Sequence, residues 1–531
     1  MQIGEWMDTG FRTLTATTRS LALPLPIAIM LLAIAGFGSQ IPSGASFRTG
    51  VELVEINVVA RDKEGKPVAD LRRDEFQILD NGIAQPIRVF VPEIEKSATP
   101  SPEPRAPNTF TNRIAPPAGS RSGYSVILID DLYSGADPTN EEGTTLSRSR
   151  ALQMLQSGSS PSGAPAIPEG EKIAIYAPGR RLKVISEFTS DRDQLIRELR
   201  KWKPYPTTPA PEARPVFQPQ MHPADPQGGP RGNGPAEMDR IDAVQRAAAG
   251  DAGMQQIADH LAGIPGRKNL IWLANQFPIG PTALRQLARA SVSIYPVDVD
   301  GVCRLCPPRP TAEMDAIAAI TGGVAYYRRN DIQVAMREAM DDGRVSYALG
   351  FYPSIDDDGP PKPHRLLVKT TRPGITLRYR TVYEKEPPTP ASDNPVADLV
   401  GALNRPIDAT AISIDAAVTK QSGRLRVEAK LGVESLYLVS DQGLRTGRIE
   451  VVARFITADG VIAAEPVARA LVLNLSPPVW DTAVREGLSY STELPIPPRA
   501  VELKLMFANV ASDRIGTLTV PLARVKAGSA K

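Results

Sequence analysis

One run of the sequence, YSVILIDDLYS at residues 124–134, ends in polar side chains that could do chemistry. These are the carboxylates of Asp130 and Asp131 and the hydroxyl of Ser134. They follow Val126–Ile129, an uninterrupted apolar run that is typical of a strand buried on both faces in a parallel sheet. Ligand sites of open α/β sheets lie beyond the carboxyl ends of such strands. We therefore expect a binding site at these residues; the alternative is that the aspartates cap the next helix or face solvent.

A second pair of carboxylates, Asp298 and Asp300, follows the apolar strand candidate Val292–Val297. Two neighbouring carboxylates could serve as acid and base in a glycosidase-like hydrolysis, although such residues more often bind solvent or hold a loop. No serine stands in a Gly-x-Ser-x-Gly elbow, and the sequence contains no glycine-rich phosphate-binding loop. We therefore expect the protein not to be an enzyme and keep a carboxylate-based hydrolase as the alternative.

Cys303 and Cys306 are the only cysteines of the chain and stand in the order Cys-Arg-Leu-Cys. A redox-active pair of this spacing normally opens a helix, whereas two prolines follow here, and a zinc site would need two further ligands. In an oxidising compartment such a pair can form a disulfide. We expect a short disulfide rather than a redox or metal centre.

Residues 1–45 have the composition of an export signal. Arg12 and Arg19 precede the apolar run Leu21–Phe37, and the small residues Ser-Gly-Ala stand directly before Ser46. We expect cleavage before Ser46 and an exported chain that is periplasmic, bound in the cell envelope or secreted. The alternative is that the segment is retained as a membrane anchor, although its apolar run is slightly shorter than the usual span of about 20 residues.

Length and charge limit the classes of partner. A chain of 531 residues is expected to hold several domains. Its formal net charge is +2 with both signs interspersed, so it lacks the clustered basic residues of a nucleic-acid-binding protein. We expect a protein partner and no nucleic-acid partner.

Periodicity divides the chain into compact units and linkers. Residues 122–345 alternate strand candidates with helical patterns, which favours a parallel sheet covered by helices on both faces. Flanking stretches alternate apolar and polar residues around turn signals such as Asn81-Gly82, which is typical of antiparallel strands. The expected units are a signal peptide or anchor at 1–45, a small antiparallel β unit at 46–95, a Pro-rich linker at 96–121, an α/β domain at 122–345, an antiparallel β extension at 346–384, a linker at 385–404 and a β-sandwich at 405–531.

Within residues 122–345, apolar spacing marks three helices and five strands. The helices are expected at Ser190–Trp202, at Ile241–Leu261 and from Asn330 onward, with Ser190 as the cap of the first. The strands are expected at Ser125–Asp130, Lys172–Tyr176, Leu182–Phe188, Asn269–Ala274 and Val292–Val297.

Eight segments of the chain, taken in order, carry a resemblance. They are VVARDKEGKPVADLRRDEFQILDNGIAQPI, VILIDDLYS, EFTSDRDQL, GRKNLIWLANQFP, VSIYPVDVDG, AAITGGVAYYRRND, YALGFYPS and RLLVKTTRPGITLRYR. Residues 51–383, which contain them, resemble the bacterial VWFA-related domain family, relatives of the von Willebrand factor type A fold. The resemblance implies a multi-domain α/β plus β protein: a doubly wound sheet with a small N-terminal β unit and a C-terminal β-sandwich. It also implies a partner-binding rim, which in many such domains holds a divalent cation.

The family's cation ligands can be placed on this sequence residue by residue. Its motif Asp-x-Ser-x-Ser begins at Asp130 and ends at Ser134, but Leu132 stands where the first serine is expected. Thr189 matches the family's threonine, whereas Asn275 replaces the aspartate expected after the fourth strand. The resemblance thus implies a degenerate site for Mg²⁺ or another divalent cation, with Asp130, Ser134 and Thr189 as ligands. The alternative for Thr189 is that it belongs to the cap of the following helix.

The functional hypothesis is an exported protein that binds a protein or cell-envelope partner through the rim at the carboxyl ends of the strands. Asp131, Asn275 and Asp298 would flank the cation ligands on this rim. One alternative is the carboxylate-based hydrolase. The other is a structural envelope protein that binds through its C-terminal β-sandwich.

Overall fold

The computed structural model describes residues 53–94, 107–114, 123–130, 146–157, 167–179, 182–203, 235–302, 311–353, 362–384, 402–441, 443–512 and 514–527, except the side chains of 94, 235–247 and 441. All of them belong to the compact unit Val51–Lys531; the other unit is Met1–Gly50. The predicted export segment and the predicted disulfide lie outside the described residues. Among the residues described, no helix is long and apolar enough to cross a membrane.

The described chain is a mixed α/β structure. Its strands are β1 (Val54–Arg61), β2 (Phe76–Asp80), β3 (Ile83–Gln85), β4 (Val89–Ile94), β5 (Thr109–Thr111), β6 (Tyr124–Ile129), β7 (Lys172–Ala177), β8 (Lys183–Thr189), β9 (Lys268–Ala274), β10 (Val292–Asp298), β11 (Val345–Phe351), β12 (Pro363–Thr370), β13 (Thr376–Arg378), β14 (Val382–Glu384), β15 (Ile414–Gln421), β16 (Arg424–Leu431), β17 (Val439–Asp441), β18 (Leu444–Thr457), β19 (Val467–Leu475), β20 (Leu488–Pro495), β21 (Ala500–Asn509) and β22 (Arg514–Pro521). Its α-helices are α1 (Leu146–Gln156), α2 (Arg192–Lys201), α3 (Pro235–Leu261), α4 (Pro281–Arg289), α5 (Thr311–Thr321), α6 (Ile332–Asp342) and α7 (Pro477–Glu486).

A five-stranded sheet with the order β10-β9-β6-β7-β8 lies at the centre of residues 123–342. β10, β9, β6 and β7 are parallel, and β8 closes one edge antiparallel to β7. Every residue of β6, β9 and β10 is buried, as expected for strands covered on both faces. Apolar side chains of α3, α4 and α5 pack on one face of the sheet, and those of α1, α2 and α6 pack on the other.

Residues 53–94 and 345–384 form one two-sheet β unit. One sheet has the order β13-β1-β11-β4 and the other β14-β12-β2-β3, and their apolar side chains share a core. This corrects the prediction of a separate β unit at 46–95 and an extension of the α/β domain at 346–384. β11 and β12 pair with β1 and β2 rather than with the five-stranded sheet. Local periodicity shows which face of a strand is buried but not which distant strand it pairs with.

The turn Asn81-Gly82 joins β2 and β3, where the sequence places a hairpin. Asp80 pairs with Ile83 across it. The φ angles of Asn81 and Gly82 are 48° and 85°. A two-residue type I′ turn requires positive φ at both central positions, which Asn and Gly tolerate best.

The C-terminal region folds as two further antiparallel sheets. Their orders are β20-β16-β15-β5 and β17-β18-β21-β22, with β19 on the other side of β18, and one apolar core lies between them. β5 comes from the predicted linker 96–121, so that linker is wrong at its centre. The buried side chain of Asn112 donates to the carbonyls of Ala409 and Ile412 at 2.8 and 2.9 Å and accepts the N–H of Ile414 at 2.7 Å. A strand of only a few residues cannot be recognised from the sequence when the residues around it are rich in proline.

Candidate functional site

The carboxyl ends of β6, β9 and β10 lie side by side at one edge of the five-stranded sheet. The chain passes from β6 to β7 and β8 on one side and returns to β9 and β10 on the other. The strand order therefore reverses between β6 and β9, and open α/β sheets bind ligands at such a reversal. Asp130 directly follows β6 and Asn275 directly follows β9, so two of the predicted site residues flank it.

Asp130 and Asp298 lie in one row across three strands, with Ala274 between them. Asp298 pairs with Ala274, and the N–H of Asp130 donates to the carbonyl of Leu273 at 3.0 Å, which places Asp130 on the other side of Ala274. With one strand spacing on each side, their Cα atoms are about 10 Å apart. Because alternate residues face the same side of a sheet, both carboxylates point to the face that contains Trp272, whereas Asn275 points to the opposite face.

Trp272 fixes the carboxylate of Asp130. Its Nε1 donates to Oδ2 of Asp130 at 3.0 Å, and its ring packs edge-to-face on Phe277. Asp130 is 3% exposed, so this hydrogen bond offsets part of the cost of burying the carboxylate. The sequence prediction assigned no role to Trp272. A single tryptophan in the apolar part of this strand was the available signal, because a buried indole N–H needs an acceptor.

Asp298 is engaged in holding its own loop. Its N–H donates to the carbonyl of Tyr326 at 2.9 Å, and its Oδ1 accepts the N–H of Asp300 at 3.1 Å. Asp298 is 7% exposed. These contacts agree with the loop-holding interpretation of the two carboxylates.

Thr189 lies at the end of the sheet opposite Asp130. Because β8 runs antiparallel, Thr189 pairs with Ile173, which on its other side pairs with Ser125 near the start of β6. Five residue steps, or roughly 16 Å, separate this level from Asp130. The hydroxyl of Thr189 accepts the N–H of Asp191, and Asp191 rather than Ser190 is the N-cap of α2. The structure therefore does not bring the predicted ligands Asp130 and Thr189 together.

The described residues do not fit the cation site that the resemblance implies. Mg²⁺ requires nearly octahedral oxygen coordination, but Thr189 is remote and one oxygen of Asp130 accepts the tryptophan N–H. Within the described ranges, no group of three or more His, Cys, Asp or Glu side chains is placed to hold a metal ion. Outside these ranges lie Asp131, Leu132, Ser134, Cys303 and Cys306.

Comparison with known proteins gives structural neighbours only. No family model and no curated protein matches the chain. A von Willebrand factor type A structure from Catenulispora acidiphila matches 58% of this chain and 72% of its own, at 11% identity and a TM-score of 0.25. Proximal thread matrix protein 1 from the mussel byssus matches 42% of this chain at 10% identity and a TM-score of 0.25. A membrane-spanning protein from Vibrio fischeri matches 40% of this chain and 94% of its own, at 13% identity and a TM-score of 0.12.

The chain spans about half the length of the mussel protein, 48%. With TM-scores this low, the architecture rests on the strand order and the packing of the chain itself.

Proposed function

We propose that the chain is an exported protein whose von Willebrand A-like, doubly wound sheet binds a protein partner through the rim at the carboxyl ends of β6, β9 and β10. The observation that carries the proposal is the row of Asp130 and Asp298 beside the reversal of strand order. Support for export comes from the composition of residues 1–45. N-terminal sequencing of the protein from cell fractions tests it, with Ser46 as the expected first residue of an envelope or secreted form.

The depth of the two carboxylates favours a particular kind of contact. Asp130 and Asp298 are almost fully covered, so a partner reaches them with an inserted side chain rather than with a flat surface. A carboxylate accepts several hydrogen bonds at once, so a basic side chain can add to the contacts that Asp130 already makes, including the one with Trp272. Arginine fits best, because its planar fork donates two parallel hydrogen bonds to a carboxylate.

The variant Asp130→Asn tests the rim, because it preserves the shape of the side chain and removes its charge. We expect the yield of partner cross-linked to the protein in its own cells to fall about tenfold or more, as expected when one member of a buried charge pair is lost. Asp415→Asn is the matched control: Asp415 lies on β15, is half exposed and pairs with Arg113. Equal cross-linking yields from both variants and the wild type, with unchanged melting temperatures, would show that the partner-binding site lies elsewhere.

A second candidate function is binding through the C-terminal sandwich, and one observation favours it. β19 pairs only with β18 among the described strands, and Val472 on this edge is 70% exposed. An open edge offers unpaired N–H and C=O groups to another strand. In the same cross-linking experiment, loss of partner with Val472→Lys and not with Asp130→Asn would support the sandwich over the rim.

A further inference from the structure

A cavity of about 430 Å³ opens where the five-stranded sheet, the segment after β5 and the C-terminal sandwich meet. This volume is within the range of small-molecule sites, about 300–1,000 Å³. The rim residues Asp130 and Asp298 do not line it. Its charged or titratable lining residues are Arg113, Glu187, His260, Asp408, Glu502 and Lys504.

His260 is held rigidly in the wall of this cavity. It is 6% exposed, its ring stacks on Phe188, and it meets Tyr176 edge-to-face. Its Nδ1 lies 2.6 Å from the backbone carbonyl oxygen of Asp408. A carbonyl only accepts, so Nδ1 carries a proton, and in the neutral ring Nε2 is an acceptor.

The Nε2 atom of His260 has no hydrogen-bond partner in the part of the chain that the structure describes. It faces the carboxylate of Glu187, with Oε2 3.9 Å away, too far for a hydrogen bond. The same oxygen accepts from the hydroxyl of Tyr176 at 3.4 Å. A lone pair and a carboxylate repel each other across this gap, and a buried acceptor without a donor is costly. A positively charged donor placed between them would remove both costs.

Other polar groups of the cavity are already bonded within the protein. The carboxylate of Asp408 accepts hydrogen bonds from two threonines of β22, and Nζ of Lys504 donates to a backbone carbonyl at 2.7 Å. Burial raises the pKa of Glu502, which lies near Lys504. Arg113 pairs with Asp415, whose Oδ2 accepts from its Nε at 2.9 Å. The acceptors that face each other in the cavity are therefore the Nε2 of His260 and the carboxylate of Glu187.

We propose that this cavity binds a small molecule through a primary ammonium group, which donates to Nε2 of His260 and to the carboxylate of Glu187. An ammonium has three N–H donors and a positive charge, so one group satisfies the histidine and neutralises the carboxylate. A metal ion fits less well, because no three suitable ligands converge within the described residues.

Calorimetric titration of the full chain with 1,4-diaminobutane, and with acetate as an anionic comparison, tests this site. We expect the diamine to bind and acetate not to bind. His260→Asn keeps a donor close to the position of Nδ1 and removes Nε2, and Glu187→Gln removes the charge. Each is expected to weaken the diamine about tenfold or more, the loss expected for a charge-assisted hydrogen bond.

Glu493→Gln is the matched control for Glu187→Gln. Both glutamates lie on edge strands, β20 and β8, and their side chains are 55% and 61% exposed. The control is expected to bind the diamine like the wild type. Equal weakening in Glu493→Gln would show that only overall charge matters and would overturn the proposal.

The nuclear magnetic resonance signal of His260 gives a second readout. The chain has three histidines, so ¹⁵N-histidine labelling gives a spectrum simple enough to assign with His260→Asn. We expect the Nε2 resonance of His260 to shift when the diamine is added. An Nε2 resonance that does not move, or no binding heat with millimolar diamine, would overturn the proposal.

Discussion

At the scale of single residues, the most unusual charge is that of Lys268 at the start of β9. Its side chain is fully buried, and its Nζ donates to the carbonyl of Ile264 at 2.7 Å. Burial lowers the pKa of Lys268 to about 8, although Glu55 and Glu93 act in the opposite direction. The folded protein therefore releases this proton at a lower pH than the unfolded chain does.

Lys268→Met is expected to stabilise the protein at neutral pH. The fall in pKa from the ordinary lysine value of 10.5 to about 8 corresponds to roughly 3 kcal/mol of unfavourable free energy while the folded state keeps its charge. Between these two pKa values the unfolded chain binds more protons than the folded one, so wild-type stability rises with pH. Denaturant unfolding should show that the gain from Lys268→Met is largest below pH ~8 and fades as pH approaches ~10.5. A gain that does not change with pH would assign the effect to packing.

At the scale of elements, Asp342 at the end of α6 joins the α/β region to the first β unit. Arg61 of β1 lies 2.5 Å from its Oδ1, and Arg378 of β13 lies 2.9 Å from its Oδ2. The hydroxyl of Tyr295 on β10 also donates to Oδ2, at 2.9 Å. Burial alone would raise the pKa of Asp342, but Arg378, Arg267 and Arg61 outweigh burial and hold it below its usual value.

Asp342→Asn should destabilise the protein by about 3–5 kcal/mol, because it leaves buried arginines without a counter-charge. Its neighbour provides the control: Asp341 pairs with Arg337 within α6 and keeps 27% of its side chain exposed, so Asp341→Asn should cost less than Asp342→Asn. The lowered pKa of Asp342 gives stability that is present above the unfolded-state value of about 3.9 and lost as pH falls through the folded-state value. Chemical unfolding should therefore show that the unfolding free energies of the two variants approach the wild-type value only in acid. Equal losses of unfolding free energy in both variants at neutral pH would refute the role of Asp342.

In the α/β region, the sequence predicts where individual strands and helices lie better than it predicts which of them are adjacent in the fold. β6, β9 and β10 are buried along their whole length, and Ile332, Ala335, Met336 and Ala339 of α6 are buried on one face as predicted. The prediction gave no helix range for α1, α4 and α5. Thr189 was misplaced because the direction of β8, which no local pattern encodes, decides which end of the sheet it occupies. Asp130 was located correctly at a strand end. Its contact with Trp272 depends on the register between β6 and β9, which the sequence does not show.

At the scale of the whole molecule, the two β units are completed by segments that precede the α/β region in the chain. β1, β2 and β4 pair with β11, β12 and β13, while β3 joins the sheet through β2, and β5 pairs with β15. The domain boundaries predicted at residues 122 and 346 therefore separate strands that pair with each other in both β units. The chain from Val51 onward therefore behaves as one interleaved unit, with cores that form only when distant segments meet. Composition could not show this, because it describes each segment alone.

A fragment that starts at residue 122 is therefore expected to misfold, although it contains the whole predicted α/β domain. It lacks β1–β5, so β11 and β12 lose their partners and expose their pairing edges and apolar faces, which favours aggregation. It also lacks Arg61 and Asn112, which leaves Asp342 and the backbone around Ile412 without contacts. The fragment 51–531 is the control and should elute as a compact species and unfold cooperatively. Co-expression of residues 51–121 with 122–531 should restore solubility, since the missing strands need not be covalently attached to pair. A monomeric 122–531 with a cooperative thermal transition of its own would contradict the interleaved architecture.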